Sequence, residues 1–292
     1  MDQRTAVSEK ISREAVRLAR FTVQDRPQVG KLDSRPENPS TSISSHGMLI
    51  VPMWKCLVAL LYPPACLLCH RRLTTAHAPF CESCHGALSP ALAPCCQRCG
   101  VGLAGAYDLK TLCARCRDHP LAFEKACAPL VYAGVVREAI HGFKYHGHHR
   151  VGRWLAARMA QTAQRELPLA QIDLILPVPM YWLKQRLKGV NPAAFLAQAA
   201  SQLLQIPYVG GALRRIRWTP TQTRFTRRQR LHNVHGAFRA RRRQIADRRV
   251  LLVDDVLTTG ATAHTCAVAL QEAGIKTVFV LTAARAPHDE NS

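Results

Sequence analysis

From about residue 128 onward the chain alternates short apolar runs with longer amphipathic stretches. Leu130-Val131-Tyr132-Ala133-Gly134 reads as a strand closing in a turn, and residues 135–143 as a short helix. Residues 154–165 carry the 3.6-residue periodicity of an amphipathic helix. Leu174-Ile175-Leu176 is a buried strand halted by Pro177 and Pro179, and residues 195–204 form the next helix. A second buried strand, Val250-Leu251-Leu252-Val253, precedes a turn and a helix that runs to about Ala273. Repeated strand–helix alternation predicts an α/β fold: a parallel, doubly wound sheet flanked by helices, with any ligand at the carboxyl ends of the strands.

The N-terminal third follows other rules. Residues 1–47 are polar, contain Pro27, Pro36 and Pro39, and end in a Ser/Thr-rich run at 40–45. Apart from a short helix over residues 8–21, they are expected to form a disordered extension, or to precede the true start at Met48. Residues 48–62 are apolar but interrupted by Pro52 and Lys55, which predicts a short helix and not a membrane span. With no secretory signal at Met1, the expected compartment is the cytoplasm.

Between residues 63 and 120 lie four C-x-x-C pairs: Cys66/Cys69, Cys81/Cys84, Cys96/Cys99 and Cys113/Cys116. They are separated by 11, 11 and 13 residues. A C-x-x-C turn aims two thiolates at one ion, and two such turns complete a tetrahedral site, so eight ligands predict about two structural Zn²⁺ ions. The ligands could be shared sequentially or interleaved. Gly86, Gly100 and Gly102 are expected to supply the tight turns. Cys69-His70 and Cys84-His85 also spell the C-x-x-C-H string of haem c attachment, but the other two pairs end in Gly100 and Arg117, and zinc explains all four. Cys56, Cys95, Cys127 and Cys266 are left as bystanders.

The strand ending at Val253 is followed by Asp254, Asp255, Val256, Leu257 and the turn Thr258-Thr259-Gly260-Ala261-Thr262. Backbone N–H groups of such a turn, backed by a helix N-terminus, cradle an anion, and the threonine hydroxyls add donors. Two carboxylates beside a phosphate site suit neutral hydroxyls or a divalent cation. A 5-phosphoribosyl group offers a phosphate at one end, a 2,3-diol at the other, and Mg²⁺ when pyrophosphate is attached. The sharp turn after Pro177, beginning at Val178, is a candidate second anion site for that pyrophosphate. A generic phosphate loop is the plainer alternative.

Formal charge is +21. Residues 137–249 hold 22 Lys and Arg against four acids, a local excess of 18. Such a field favours polyanions. Arg214, Arg215, Arg217, Arg224, Arg227 and Arg228 flank Trp218 and Phe225, a combination that could grip and stack single-stranded DNA. It could equally be a solvated basic loop.

The 250–262 stretch resembles the phosphoribosyl-diphosphate (PRPP) motif of type I phosphoribosyltransferases. Four cysteine pairs, Phe143-Lys144-Tyr145-His146-Gly147, Leu176-Pro177-Val178-Pro179 and the block Gln222, Arg230, Asn233-Val234, Gly236-Ala237-Phe238 precede it in order. In that arrangement the chain resembles the ComF family, competence-associated proteins with a double zinc ribbon fused to a phosphoribosyltransferase-like domain, here expected over 63–120 and 128–287. The resemblance implies that Lys144 and Arg230 face the phosphates, that Asn233 orders the loop beside them, and that Asp254 and Asp255 hold the ribose hydroxyls with Mg²⁺. An Arg-Gly-Phe-Asn-Gln-like string of the family is replaced by Lys188-Gly189-Val190-Asn191-Pro192. Many purine-using relatives place an Asp where this chain has Thr258, which argues against hypoxanthine or guanine as acceptor. Two functions follow: a PRPP or ribose 5-phosphate-binding protein, which transfers or releases that group if it is an enzyme, or a non-catalytic single-stranded-DNA adaptor. Both belong to a setting of DNA uptake and processing, with competence or DNA-processing proteins as partners.

Overall fold

The computed structural model describes residues 64–73, 79–91, 94–103, 111–181, 190–217 and 236–287. The extension over 1–47 and the helix over 48–62 lie outside the described residues. Nearly all the described residues belong to one compact unit, Cys66–Arg71 together with Ala78–Ser292. Pro64, Ala65, Arg72 and Leu73 belong to the other, where Ala65 and Arg72 form an isolated antiparallel bridge.

The elements run α1 (Glu82–Gly86), α2 (Ala114–Asp118), β1 (Lys125–Cys127), β2 (Leu130–Val131), α3 (Gly134–Tyr145), α4 (His149–Glu166) and β3 (Leu174–Pro177). There follow α5 (Pro192–Leu204), β4 (Leu213–Arg215), β5 (Phe238–Ala240), α6 (Arg242–Ile245), β6 (Arg249–Leu257), α7 (Ala261–Glu272) and β7 (Thr277–Arg285). The main sheet has the order β1-β7-β6-β3, with β2 continuing the β1 edge against β7, and every pairing in it is parallel. The parallel, helix-flanked sheet is the one expected. Among the described residues no helix is long and apolar enough to cross a membrane.

Alternation along each strand divides the core into two faces. Val250, Leu252, Val278 and Val280 share one cluster with Cys266, Ala267 and Leu270 of α7. The intervening residues point to the other face, where α4 and α5 pack on each other and on the sheet. The α4–α3–α5 junction requires Gly152. A Cβ there would lie 2.5 Å from Phe143 and 2.7 Å from Phe195, two rings whose centroids are 5.4 Å apart. Helix α5 begins with Asn191 at its N-cap, accepting from the Ala193 N–H at 3.1 Å, and Pro192 at the first turn. Pro192, where the chain departs from the family string, is therefore absorbed as a helix start. Val190 is 55% exposed.

Candidate functional site

The cysteines come together as two separate clusters. Cys66, Cys69, Cys81 and Cys84 form the first, and Cys96, Cys99, Cys113 and Cys116 the second. The sharing is sequential, and within each cluster every sulfur lies within 4.8 Å of every other.

Local structure repeats between them. In the knuckles, His70 N–H bonds Cys66 O at 3.0 Å and Gly100 N–H bonds Cys96 O at 2.9 Å. Both residues after the second cysteine take positive φ, 59° for His70 and 65° for Gly100. Glycine is required at Gly100, because a Cβ would come within 2.7 Å of Ala126 O. Gly86 closes α1 and Gly102 sits opposite Cys95 in an isolated antiparallel bridge, so neither supplies the tight turn expected of it. The second pair of each cluster starts a short helix, with Cys81 and Cys113 as N-caps.

The donor set fits zinc. Four sulfurs around Zn²⁺ at about 2.3 Å are about 3.8 Å apart along a tetrahedron's edges. Cys69 and Cys81 Sγ are 3.6 Å apart, and Cys99 and Cys113 Sγ 3.8 Å, far beyond a disulfide's length. Proton sharing among such close thiols is uneven. Burial opposes ionisation of Cys66, yet N–H groups of the surrounding turn bring it down to about 6, while burial and its sulfur neighbours push Cys84 up to about 12. Four thiolates at this spacing need a cation between them.

The clusters straddle one edge of the sheet. The first packs on α4, where Trp154 meets Phe80 and His85 edge-on at 5.3 and 5.9 Å. The second is buried in the α7-side core, with all four cysteines at or below 5% exposure. Its knuckle is tied to β1 by the Ala126 N–H to Arg98 O bond, 2.8 Å. Arg98 Nη1 reaches Leu121 O and Phe123 O at 3.2 and 2.8 Å.

Strand β6 does not stop at Val253. Its ladder with β7 runs through Asp254 (opposite Thr282) to Leu257 (opposite Arg285), because β7 is long enough to carry it. Consecutive strand residues face opposite ways, which sends the two carboxylates to different surroundings. Asp255 Oδ1 lies 2.7 Å from Lys144 Nζ, at the end of α3. That pairing outweighs the burial that would lower the Lys144 pKa and leaves it raised. Asp254 faces Cys266 and Arg215. Burial, then the Asp255 charge, pushes its pKa up to about 7 despite the opposing fields of Lys144 and Arg215. Burial and the charge of Asp254 likewise hold the Cys266 thiol well above its usual range.

Beyond Leu257 the turn is exposed at Thr258, half-buried at Thr259 and Thr262, and buried at Gly260 and Ala261. Gly260 is the N-cap of α7 with φ of 78°. Thr259 Oγ1 accepts from the Ala261 N–H at 3.3 Å. The first turn of α7 has N–H groups without intrahelical partners, so donors converge immediately after two carboxylates.

At Val178 the backbone polar groups already have partners. Its N–H donates to Val253 O at 2.8 Å and its carbonyl accepts from Asn191 Nδ2 at 3.1 Å, so its polar backbone is shared between the sheet and the N-cap of α5. Pro179 has no N–H, and any donor this turn offers lies further on. Arg230 and Asn233 lie outside the described residues, as do Arg224, Arg227, Arg228, Trp218 and Phe225. Arg214 and Arg217 are exposed, whereas Arg215 lies 5.6 Å from the Phe238 ring and looks inward. Arg285, which the sequence reading did not single out, is buried beneath the turn, with Nη1 donating to Leu257 O and Thr258 O.

Comparison with known proteins covers both halves. The double zinc ribbon domain family matches residues 57–117. Competence protein F of Haemophilus influenzae is 30% identical over 179 residues, 60% of this chain and 78% of that protein. DNA utilization protein YhgH of Escherichia coli strain K12 is 29% identical over 171 residues, 58% of this chain and 75% of its own. Among solved structures, glutamine PRPP amidotransferase from B. subtilis, complexed with ADP and GMP, aligns at 22% identity with a TM-score of 0.30. That alignment covers 43% of this chain and only 24% of the amidotransferase. The order of cysteine clusters and parallel sheet, together with the long alignment to Competence protein F, leads to one assignment: this chain belongs to the ComF family.

Proposed function

We propose that the chain binds PRPP, or the ribose 5-phosphate group it contains, in a setting of competence and DNA utilisation, the words carried in the names of its relatives. The observation that carries this reading is the continuous run of Asp254 and Asp255 into a glycine-hinged turn at the N-terminus of α7. The 5-phosphate would sit on the turn N–H groups and the hydroxyls of Thr258, Thr259 and Thr262. The carboxylates would hold the ribose diol. Oxygen donors of this kind suit Mg²⁺, which when bound would neutralise charge on the pyrophosphate. In a transfer reaction the C1–oxygen bond to pyrophosphate breaks, its electron pair leaves with that group, and an acceptor bonds to C1. Lys144, paired with Asp255, would steady the second carboxylate and add positive charge beside the leaving group. The test is pyrophosphate release from PRPP with Mg²⁺ across candidate bases and single-stranded DNA, with calorimetry of PRPP in parallel. Heat of binding without release would leave a ligand-sensing protein. Absence of both would sink the phosphoribosyl reading.

A groove of about 410 Å³ favours the second reading, single-stranded DNA binding. It runs between the first cysteine cluster and α4, lined by His85, Leu130, Trp154, Arg158, Gln161 and Arg165. The Arg158 guanidinium lies 5.4 Å from the Trp154 ring centre and 3.2 Å from His85 Nε2. An aromatic ring among cations is what a base and its phosphate recognise. Binding of an oligothymidylate should therefore weaken steeply from 50 to 300 mM salt, and weaken about tenfold in Trp154→Ala with Arg158→Gln. Salt-independent binding, or affinity unchanged in that variant, would remove the groove from consideration.

A further inference from the structure

Arg285, the last residue of β7, is 4% exposed and lies between the second cysteine cluster and the phosphate turn. On one side Nε donates to Cys99 O at 2.8 Å, and Nη2 approaches Cys99 Sγ at 3.7 Å. On the other, Nη1 donates to Leu257 O at 3.0 Å, to Thr258 O at 2.6 Å and to Ala286 O at 2.8 Å. These partners are carbonyls and one cysteine sulfur, not a carboxylate.

Two physical consequences follow. A trans peptide holds its C=O and the next N–H on opposite sides. Anchoring the carbonyls of Leu257 and Thr258 to one guanidinium therefore turns the N–H groups of Thr258 and Thr259 away from it, to the side on which the turn can receive an anion. The second consequence is electrostatic. A zinc ion held by four thiolates carries a net charge of two minus, and a buried guanidinium touching one of those sulfurs is its natural counter-charge. Protonated thiols without metal would give that guanidinium no negative partner there. The neighbourhood is continuous: Leu121 and Phe123 pack under Gly260, and the Ala122 N–H donates to His264 Nδ1 of α7 at 3.0 Å. Arg98, in the same knuckle as Cys99, holds the carbonyls of Leu121 and Phe123. Among the described residues, the first cluster packs on α4 and shows none of these ties to the turn.

We propose that Arg285 is a positioning residue that links the second cysteine cluster to the phosphate turn, so that metal at Cys96, Cys99, Cys113 and Cys116 sets the turn's N–H groups for anion binding. The link deepens the phosphoribosyl reading and rests on it for the identity of the anion. It requires reciprocity: whatever the metal does for the ligand, the ligand does equally for the metal.

The test uses zinc-replete full-length protein. Amide hydrogen exchange is followed over residues 257–263, with the β6 amides of residues 250–253 as internal control. Arg285→Gln should raise exchange in the turn by about tenfold or more while leaving β6 protected. Competition with a chelator, followed by thiol labelling to locate the emptied cluster, should show zinc affinity reduced about tenfold at the second cluster and unchanged at the first. Arg285→Lys keeps the charge but loses the fork, so it should raise turn exchange as Gln does while retaining more of the zinc affinity. In the wild type, saturating ribose 5-phosphate should tighten zinc at the second cluster only, an arm that needs no variant to fold. Unchanged turn exchange in both variants, or zinc loss shared equally by the clusters, overturns the inference. So does a bound ribose 5-phosphate that leaves zinc affinity at the second cluster unmoved. If ribose 5-phosphate fails to bind the wild type while the variants still loosen the turn, the phosphoribosyl reading falls and the linkage stands.

Discussion

Replacing Cys113 with Ser is expected to lower the thermal transition of the whole sheet unit by 10 °C or more, whereas Cys81→Ser leaves the sheet largely folded. The difference lies in where the clusters sit. Cys96, Cys99, Cys113 and Cys116 share a core with Leu121, Phe123, Val250, Leu252, Val278 and Val280. Cys69 is exposed, Cys81 and Cys84 are half-buried, and the first cluster leans on α4 through Phe80 and His85. A structural Zn²⁺ contributes roughly 10–16 kcal/mol of apparent binding free energy, comparable with the roughly 5–15 kcal/mol that keeps a domain folded. Losing one thiolate from a metal site inside the core removes a share of that energy from the sheet itself. A loss of about 3–5 kcal/mol displaces the transition of a unit this size by of the order of 10 °C. Calorimetry of the two variants, with metal analysis, is the measurement. The wild type should carry two zinc ions, and the first-cluster variant one. Equal shifts in the two variants would mean that the second cluster is not built into the sheet's core.

The elements that were legible in the sequence are those whose local signal agrees with their tertiary role. Val250–Val253 and Leu174–Leu176 are apolar without interruption, as strands covered on both faces must be. The four C-x-x-C pairs declare their chemistry by spacing alone. Sequential sharing between pairs was not readable, because it depends on how each knuckle folds back onto the following helix. Strand β7 went unmarked although Val278–Leu281 is as apolar as the strands that were recognised. Helix α4 begins at His149, ahead of the apolar periodicity, and its first turns pack through Gly152 against Phe143 and Phe195, contacts from outside the helix. The antiparallel β4–β5 pair was hidden by its arginines, Arg214 standing opposite Arg239.

The site divides in the same way. Asp254, Asp255 and the turn were identified from their order along the chain, and Lys144 meets Asp255 across 2.7 Å. At Val178 a proline-flanked strand end looks like an open anion site, and only the sheet register reveals that its N–H is already used. Arg285 could not be found from local pattern. Its partners are 28 residues away at Leu257 and 186 away at Cys99.

Asp254→Asn with Asp255→Asn is expected to weaken binding of PRPP with Mg²⁺ by roughly 100-fold or more. Each carboxylate offers the ribose diol or a metal-bound water a charge-assisted hydrogen bond worth about 1.5–3 kcal/mol, and every 1.4 kcal/mol is about tenfold. The pH dependence separates the two acids. Asp254 is pushed up to about 7 in the folded protein, from an ordinary value of 3.8. The folded state therefore holds this proton over a range in which the unfolded chain has released it. Stability from Asp254 is fully present below pH 3.8 and is lost as pH rises through about 7. Asp254→Asn should remove that loss, so the single variant gains on the wild type as pH rises from 3.8 to about 7, and the gain then levels off. Bound Mg²⁺ acts in the opposite sense, because it favours the carboxylate. Metal-dependent PRPP affinity of the wild type should therefore rise over the same interval, and the rise should vanish in Asp254→Asn. Calorimetry at intervals from about pH 5 to about pH 8, with thermal melts of the same samples, reads both effects as a slope below about 7 and a plateau above it. PRPP affinity equal in the wild type and the double variant would reduce the motif to the end of a strand.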